Sequence, residues 1–244
     1  MVEEEDSNRV IYKKNMKGEL ILDVRNLTVR LDGELVLENL NFQVRKGDVL
    51  TILGPNGAGK TVLLKTLLGL FPHEGEIKWK ENVKIGYVPQ RLPFIKDIPL
   101  GVEEFFKLKE AKEKIKKVLF SVGIKDQNIL KKKIGDLSSG QFQRILIAFA
   151  LIDEPQVLLF DEPTAGIDIG AEETIYTFLE KLRKEKNLTI LLVTHDLSVV
   201  YKFASSCLCL NKRMLCFGKA KNLDAQTLAK LYGGKIKIYE HRHD

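Results

Sequence analysis

The segment GPNGAGKT, at residues 54–61, constrains what this chain can fold into more than any other feature of the sequence. It follows DVLTIL, an apolar run that predicts a buried strand, and it precedes KTVLLKTLLGL, which predicts a helix ending near Gly69. The pattern G-x-x-x-x-G-K-[ST] between a strand and a helix is typical of a phosphate-binding loop. Its glycines let backbone N–H groups approach phosphate oxygens, and the helix N-terminus adds a favourable dipole. We therefore expect an α/β fold around this loop.

The residues of the loop have separate expected roles. Lys60 would place a positive charge between the terminal phosphates of a nucleotide, and Thr61 would ligate Mg²⁺. The other loop residues are expected to surround the phosphates: Gly54, Pro55, Asn56, Gly57, Ala58 and Gly59. The alternative is a glycine-rich turn with a coincidental lysine, and the flanking strand and helix argue against it.

A second chemical site is predicted by VLLFDEP, at residues 157–163. The apolar strand ends in Asp161 and Glu162, and the proline that follows stops the strand. Asp161 is suited to hold Mg²⁺, either directly or through water. Glu162 is placed to orient or deprotonate a water that attacks a γ-phosphate. The triplet alone is a weak signal, but after an apolar strand downstream of a phosphate loop it is a strong one.

A third candidate site is the helix start in LSSGQFQRIL, at residues 137–146. Ser138 can cap this helix, and Gln141 can reach back to form a capping box. The same helix start offers Ser138, Gly140 and backbone amides as donors to an anion.

The order of strands and helices predicts an α/β domain with a helical insertion. Two strands meet at a DG turn at residues 32–33, and strands then alternate with helices, which implies a parallel sheet covered on both faces. Helical periodicity dominates residues 102–122 and 141–152, and we interpret residues 92–153 as a helical subdomain. Residues 1–18 are polar and lack periodicity, so they are expected to be a mobile extension of a domain at 19–244.

Composition excludes a membrane-spanning protein and leaves several partners open. The chain has 244 residues, of which 44% are hydrophobic and 30% charged, and no apolar run reaches the roughly 20 residues that span a bilayer. We expect a cytoplasmic protein that contacts a membrane through a partner. The net charge of +6 suits nucleic acid, an anionic membrane surface or polyphosphate alike. The Lys-rich run at residues 107–117 predicts a solvated helix face, or else a face turned to a membrane-embedded partner.

The cysteines and the terminal histidines do not form a standard metal site. Cys207, Cys209 and Cys216 have a spacing that matches no common zinc signature, and alternation puts the first two on one strand face. We expect buried thiols in a reducing compartment. His241 and His243 lie near the end of the sequence and are expected to be exposed to solvent.

Taken together, these motifs resemble the ATP-binding subunits of ABC transporters, from Glu19 onward. LSSGQ resembles the family's signature sequence, with Ser139 where glycine is usual, and YVPQ ends in Gln90, which matches the Q-loop. AGID resembles the D-loop with Asp168, and VTHD carries the switch histidine as His195. The resemblance implies an ABC ATPase fold: a P-loop NTPase, RecA-like core with an antiparallel β subdomain and a helical insertion.

The resemblance also implies how the motifs work together. Two subunits would associate head to tail, and each ATP would lie between the phosphate loop of one and the signature helix of the other. The family's contacts to γ-phosphate would come from Ser138, Ser139, Gly140 and Gln141. His195 would hold the γ-phosphate and the attacking water, Gln90 would contact the metal and the water, and Asp168 would couple the two sites. Near the adenine, Leu31 takes the place of the usual aromatic, so apolar contact is kept and stacking is lost.

Finer resemblance favours a motor for the uptake of a divalent metal such as zinc or manganese. The segments at 85–106 and 207–220 look like the matching parts of such ATPases. The expected partners are a second copy of the chain, an integral-membrane permease, and indirectly an extracytoplasmic substrate-binding protein, but no nucleic acid. The chain would then lie at the cytoplasmic face of the membrane, with a groove for the permease beside Gln90. The alternatives are an iron–sulfur assembly ATPase with a single cassette, and an ABC motor for another solute.

Overall fold

The computed structural model describes residues 18–90, 92, 98–109, 112–162 and 169–234. The proposed extension at 1–18 lies outside this part of the chain except for Gly18. Asp168, His241 and His243 also lie outside it.

Nine strands and seven α-helices follow one another in the described residues. The strands are β1 (Leu20–Leu31), β2 (Glu34–Arg45), β3 (Val49–Leu53), β4 (Glu74–Trp79), β5 (Ile85–Val88), β6 (Val157–Asp161), β7 (Thr189–Val193), β8 (Ser206–Asn211) and β9 (Arg213–Lys219). The helices are α1 (Lys60–Leu67), α2 (Val102–Lys107), α3 (Lys112–Ser121), α4 (Ser139–Leu151), α5 (Ile169–Lys186), α6 (Leu197–Phe203) and α7 (Ala225–Tyr232). Within the described ranges, no helix is both long enough and apolar enough to cross a membrane.

The larger sheet has six strands in the order β5-β6-β7-β3-β8-β9, and all neighbours are parallel except β8 and β9. Strands β3, β6 and β7 are buried at every residue, because a parallel sheet is covered on both faces. The predicted parallel sheet is thus confirmed. Strand β9 runs antiparallel because a tight turn at Lys212, with φ of 59°, joins it directly to β8.

The smaller sheet is antiparallel, in the order β2-β1-β4. The predicted DG turn joins β1 to β2, and both Asp32 (φ 49°) and Gly33 (φ 81°) adopt the left-handed backbone that a type I′ turn requires. The pairing of β4 with β1 was not predicted. Trp79 Nε1 donates a hydrogen bond of 2.9 Å to the Leu67 carbonyl, which fastens β4 to the end of α1.

One apolar core joins the two sheets and carries the phosphate loop. Val24 and Phe42 of the smaller sheet pack in the same cluster as Ile52 and Leu208 of the larger sheet, and all four are buried. Since the loop follows β3 directly, this packing fixes where the loop begins. The smaller sheet thereby forms the floor beneath one side of the loop.

Helices α2, α3 and α4 lie between β5 and β6 in the chain and share a second core. The rings of Phe105 and Phe149 stack with centroids 4.3 Å apart, and Phe106 beside them is fully buried. Helix α3 buries Leu119 on one side and exposes Lys116 on the other, as its mixed Glu and Lys spacing predicts.

The cysteine prediction is half right. Cys207 and Cys209 share a buried face of β8 as expected, but only Cys207 is a free thiol. Cys209 and Cys216 form a disulfide, with their Cα atoms 4.8 Å apart. The register of the β8–β9 hairpin places these two residues directly opposite each other, and the spacing in the sequence did not reveal that register.

The helical core supports a stability prediction. We expect Phe106→Ala to lower the free energy of unfolding by about 3–5 kcal/mol, because it leaves a cavity where a buried ring packed. The matched control is Phe120→Ala in the same layer, whose residue is 66% exposed and whose effect should stay within about 0.5 kcal/mol. Urea denaturation followed by circular dichroism measures both. Equal losses in the two variants would contradict the packing described for this layer.

Candidate functional site

The phosphate loop owes its shape to glycines at two tight positions. Gly59 precedes α1 with φ of 93°, and a Cβ there would lie 2.6 Å from Leu37 Cδ2. Gly57 also has a left-handed backbone, with φ of 79°. Only glycine adopts these two backbone conformations without cost. The loop therefore depends on Gly57 and Gly59 for its backbone path and for its close approach to Leu37.

Lys60 lies at the start of α1 and folds over the loop. Its Nζ donates to the carbonyls of Gly54 (2.8 Å) and Pro55 (3.0 Å) and lies 3.9 Å from Glu162 Oε1. Its side chain is only 7% exposed. Burial lowers the pKa of Lys60, while the charges of Glu162 and Asp161 oppose that shift. The ammonium group is therefore held where additional negative charge is favourable.

Asp161 lies beneath the loop and binds two hydroxyls. Thr61 Oγ1 donates to Asp161 Oδ1 at 3.0 Å, and Tyr87 OH donates to Oδ2 at 3.5 Å. Asp161 is 3% exposed, and burial, together with the nearby charge of Glu162, raises the pKa of its carboxyl group. A hydroxyl and a carboxylate oxygen this close together are ligands that Mg²⁺ prefers, so Thr61 and Asp161 fit the predicted role.

Glu162 and Gln90, predicted from separate motifs, are in direct contact. Gln90 Nε2 donates to Glu162 Oε2 at 2.6 Å. Glu162 has a left-handed backbone, with φ of 47°, which costs about 1–2 kcal/mol for a residue with a Cβ. Its N–H donates to the Val193 carbonyl at 3.1 Å. The carboxylate is thus held by its backbone and by Gln90 at the edge of the sheet.

Tyr87 is a site residue that the sequence analysis missed. It lies on β5, beside β6, and its hydroxyl faces Asp161. Burial raises the pKa of Tyr87 well above its usual range, with a further contribution from the charge of Asp161, so the group remains a hydrogen-bond donor at neutral pH. The sequence carries a signal for it, because Tyr87 opens the motif YVPQ that ends in Gln90.

His195 follows β7 and lies at the same end of the sheet as Asp161 and the phosphate loop. Parallel strands bring their carboxyl ends to one edge, and for this reason three separate motifs converge there. The His195 side chain is exposed, and the next residue, Asp196, caps α6 by accepting from Ser198 N–H at 2.7 Å. Leu31 ends β1 and packs, half-buried, against the core shared by the two sheets.

The signature segment forms the predicted capping box. Ser138 Oγ accepts from Gln141 N–H, and Gln141 Oε1 accepts from Ser138 N–H, both at 3.2 Å. Ser138 and Ser139 are exposed, and Gly140 and Gln141 are half-exposed. Within the described ranges, no hydrogen bond or ion pair joins this helix start to residues 54–61. It is therefore an open N-terminus that its own loop does not occupy.

A groove of about 640 Å³ lies beside Gln90, between the larger sheet and the helical layer. One wall carries site residues, and the other is apolar. The lining includes Thr61, Lys65, Tyr87, Gln90 and Asp161 on the first wall and Phe105, Leu108, Leu146 and Phe149 on the second. The groove predicted beside Gln90 is thus present, and it opens next to the buried carboxylate of Asp161.

A phosphate loop after β3, a buried acid at the end of β6 and a carboxylate held by a glutamine define a P-loop nucleotide-binding protein. Comparisons with known proteins specify the family. The family model described as ABC transporter matches residues 37–165. The chain belongs to the ABC transporter family, as an ATP-binding ATPase subunit.

Several relatives extend over nearly the whole chain. The zinc import ATP-binding protein ZnuC of Buchnera aphidicola subsp. Schizaphis graminum is 35% identical over 230 residues, which cover 92% of this chain and 97% of that protein. ZnuC of Magnetococcus marinus is 38% identical over 234 residues, or 93% and 89% of the two chains. Among solved structures, cbiO1 from Clostridium perfringens, part of the ABC transporter complex cbiONQ, superimposes with a TM-score of 0.72. It is 28% identical, and the match covers 84% of this chain and 90% of that chain.

Asp161 supports a prediction on pH. Because the pKa of Asp161 is higher in the folded chain than in the unfolded chain, the folded chain binds the extra proton between the two values. Its free energy of unfolding therefore falls as pH rises through that interval. Asp161→Asn removes this pH-dependent fall in the free energy of unfolding. Measured without nucleotide or metal at neutral pH, the variant should therefore melt at a higher temperature than the original protein. The difference should shrink as the pH is lowered.

The control for this measurement is Asp136→Asn, because Asp136 is exposed. Its melting temperature should follow that of the original protein at every pH. Thermal melts by circular dichroism across a pH series measure all three proteins. If Asp161→Asn instead melts below the original protein at neutral pH, the ionised carboxylate stabilises the folded chain and the predicted cost of burying it is wrong.

Proposed function

We propose that this protein is the ATPase of an importer for a divalent metal, and that it hydrolyses ATP between two copies of itself. The observation that carries the proposal is that the groups suited to contact phosphate lie in two separate places in the chain. Lys60, Asp161 and Glu162 are assembled around the loop, while a second anion-binding helix start at 138–141 is open to solvent. Relatives that match nearly the whole chain are named zinc import ATP-binding proteins.

The contacts of the site support a sequence of events during hydrolysis. On binding ATP, Lys60 would exchange the Gly54 and Pro55 carbonyls for the terminal phosphates, where its charge is favourable. Thr61 and Asp161 would hold Mg²⁺, which when bound neutralises charge on the phosphates. Glu162, held by Gln90, would orient or deprotonate the attacking water, and His195 would contact the γ-phosphate.

The open helix start supports a head-to-tail dimer. Its exposed N–H groups and Ser138 would bind the γ-phosphate held by the other copy, so ATP would join the two subunits and hydrolysis would release them. Ser139 adds a hydroxyl at this contact. Asp168, expected to couple the two sites, remains a proposal because it lies outside the described residues.

Arrest of hydrolysis tests the dimer. Glu162→Gln keeps the shape of the side chain but removes its ability to take a proton, so we expect it to lower the turnover number by more than about a hundredfold. With ATP and Mg²⁺ it should accumulate as a dimer, seen by sedimentation velocity. The matched control, Glu76→Gln on an exposed strand position, should hydrolyse ATP and remain monomeric. A Glu162→Gln protein that stays monomeric at saturating ATP would contradict the shared site.

The groove beside Gln90 supports the assignment of a permease as partner. Leu108 on its apolar wall is 69% exposed, and an exposed apolar wall next to the catalytic glutamine suits a docking helix of a membrane protein. The chain would then be peripheral at the cytoplasmic face, while an extracytoplasmic binding protein would deliver the metal to the permease.

Coupling to transport can be separated from ATP binding. We expect Leu108→Asp to keep ATP affinity within about twofold but to lose both association with the permease and ATP-dependent zinc uptake in reconstituted vesicles, because a charge desolvated at the interface is costly. The control is Leu215→Asp on β9, which is 47% exposed at the opposite edge of the sheet. Unchanged uptake by Leu108→Asp would exclude this groove as the docking site.

A further inference from the structure

The three cysteines converge on one face of the β8–β9 hairpin. Cys209 and Cys216 are opposite each other in the register and form a disulfide. Cys207, two residues earlier on the same face, is a buried free thiol. The three sulfur atoms all lie within 4.8 Å of one another. The hairpin therefore contains a cluster of three sulfur atoms that is separate from the residues assigned to the nucleotide site.

This cluster lies directly behind the phosphate loop. Strand β8 pairs with β3 so that Cys209 is opposite Leu53, the residue before Gly54. The Leu210 carbonyl approaches Gly54 so closely that no Cβ would fit between them. At the tip of the hairpin, Lys212 N–H donates to the Ala58 carbonyl at 3.1 Å. The residues enclosed by the disulfide are thus the ones that contact the loop.

The same tip is also tied to the smaller sheet. The Lys212 carbonyl accepts from Glu38 N–H at 2.9 Å, and Arg213 forms a salt bridge with the Glu38 carboxylate. The hairpin therefore connects the floor beneath the loop, on β2, to the loop itself. A change in how firmly β8 and β9 are joined will be transmitted to both.

We propose that Cys209 and Cys216 form a reversible redox modification site, at which small thiols and disulfides exchange with the protein and change its affinity for ATP. The inference rests on the nucleotide site and is independent of which solute is transported. The ligand class is a low-molecular-weight thiol or its disulfide.

Accessibility decides where exchange begins. Cys216 is partly exposed on the edge strand β9, whereas Cys209 is fully buried. An external thiolate attacks Cys216 Sγ, a new S–S bond forms, and Cys209 leaves as a thiolate that takes up a proton. A second external thiolate attacks the outer sulfur of this mixed disulfide, and Cys216 leaves as a thiolate that is also protonated. Two small thiols are oxidised to one disulfide, the protein disulfide is reduced to two thiols, and oxidation of the protein is the reverse.

Cys207 is the sulfur that the hairpin register leaves out of the disulfide. In the β8–β9 pairing Cys209 lies opposite Cys216 and is bonded to it, whereas Cys207 lies opposite Gly218 and stays a free thiol. The register therefore assigns the exchange to Cys209 and Cys216, and Cys207→Ala tests whether the third sulfur takes part.

The oxidised form should bind ATP more tightly. A covalent link between β8 and β9 prevents them from separating, so Leu210 and Lys212 keep their contacts with the loop before ATP arrives. Preorganisation of this kind increases affinity because less ordering is required on binding. We expect the dissociation constant for ATP to be about three- to tenfold lower in the oxidised protein than in the reduced protein.

The experiment equilibrates the full chain with reduced and oxidised glutathione at a series of ratios. Alkylation followed by mass spectrometry gives the fraction oxidised, and displacement of a fluorescent nucleotide gives the ATP affinity. We expect affinity to follow the fraction oxidised. In the matched pair of variants, Cys216→Ala should bind ATP with the weaker affinity in every buffer, whereas Cys207→Ala should respond as the original chain does.

Two results would overturn the proposal. In the first, Cys209 and Cys216 keep the same oxidation state across the whole glutathione series. In the second, the oxidised and reduced forms of the original chain bind ATP with equal affinity. Both are measured without any variant, so a folding failure of Cys216→Ala does not affect them. If zinc uptake fails while ATP affinity follows oxidation, the transport assignment is lost and the redox site stands.

Discussion

The pairing of β3 with its neighbours is the constraint on which the site depends. Strand β3 lies between β7 and β8, and its end opens into the phosphate loop. The amide of Thr194, after β7, donates to the Ile52 carbonyl on β3 at 3.4 Å, and the amide of Glu162 donates to Val193. Because backbone hydrogen bonds fix the register of the parallel strands, the loop, the acid pair and the histidine segment are delivered to one edge together.

Burial of charge at this edge prepares it for a ligand. Burial lowers the pKa of Lys60 and raises the pKa of Asp161, so desolvation disfavours the charged form of both groups. Bound phosphates would stabilise the charged form of Lys60, and a bound divalent cation would stabilise the charged form of Asp161.

The helical layer presents an exposed helix start at residues 138–141 and an apolar groove wall, and in the described part of the chain no hydrogen bond or ion pair joins that helix start to the phosphate loop. The capping box that starts α4 satisfies two backbone donors within the chain, and residues 138–141 are exposed or half-exposed. On the other side of the layer, Phe105 and Phe149 form both the core of the helices and the wall of the groove. One packed unit therefore carries both the exposed helix start and the groove wall.

The sequence by itself determined what is local. The strand, glycine turn and helix around Lys60, the DG hairpin, the buried strand ending at Asp161 and the capping box at Ser138 depend on residues a few positions apart, so the pattern in the chain was sufficient. It also predicted Gln90 and Glu162 as candidate site residues, but not that they touch. Contacts between distant residues were decided by the tertiary structure: Thr61 meets Asp161 a hundred positions away, Tyr87 reaches the same carboxylate, and Leu37 lies under Gly59. The disulfide was missed for the same reason, because strand register is set by long-range pairing and packing, which no spacing of cysteines along the chain can encode.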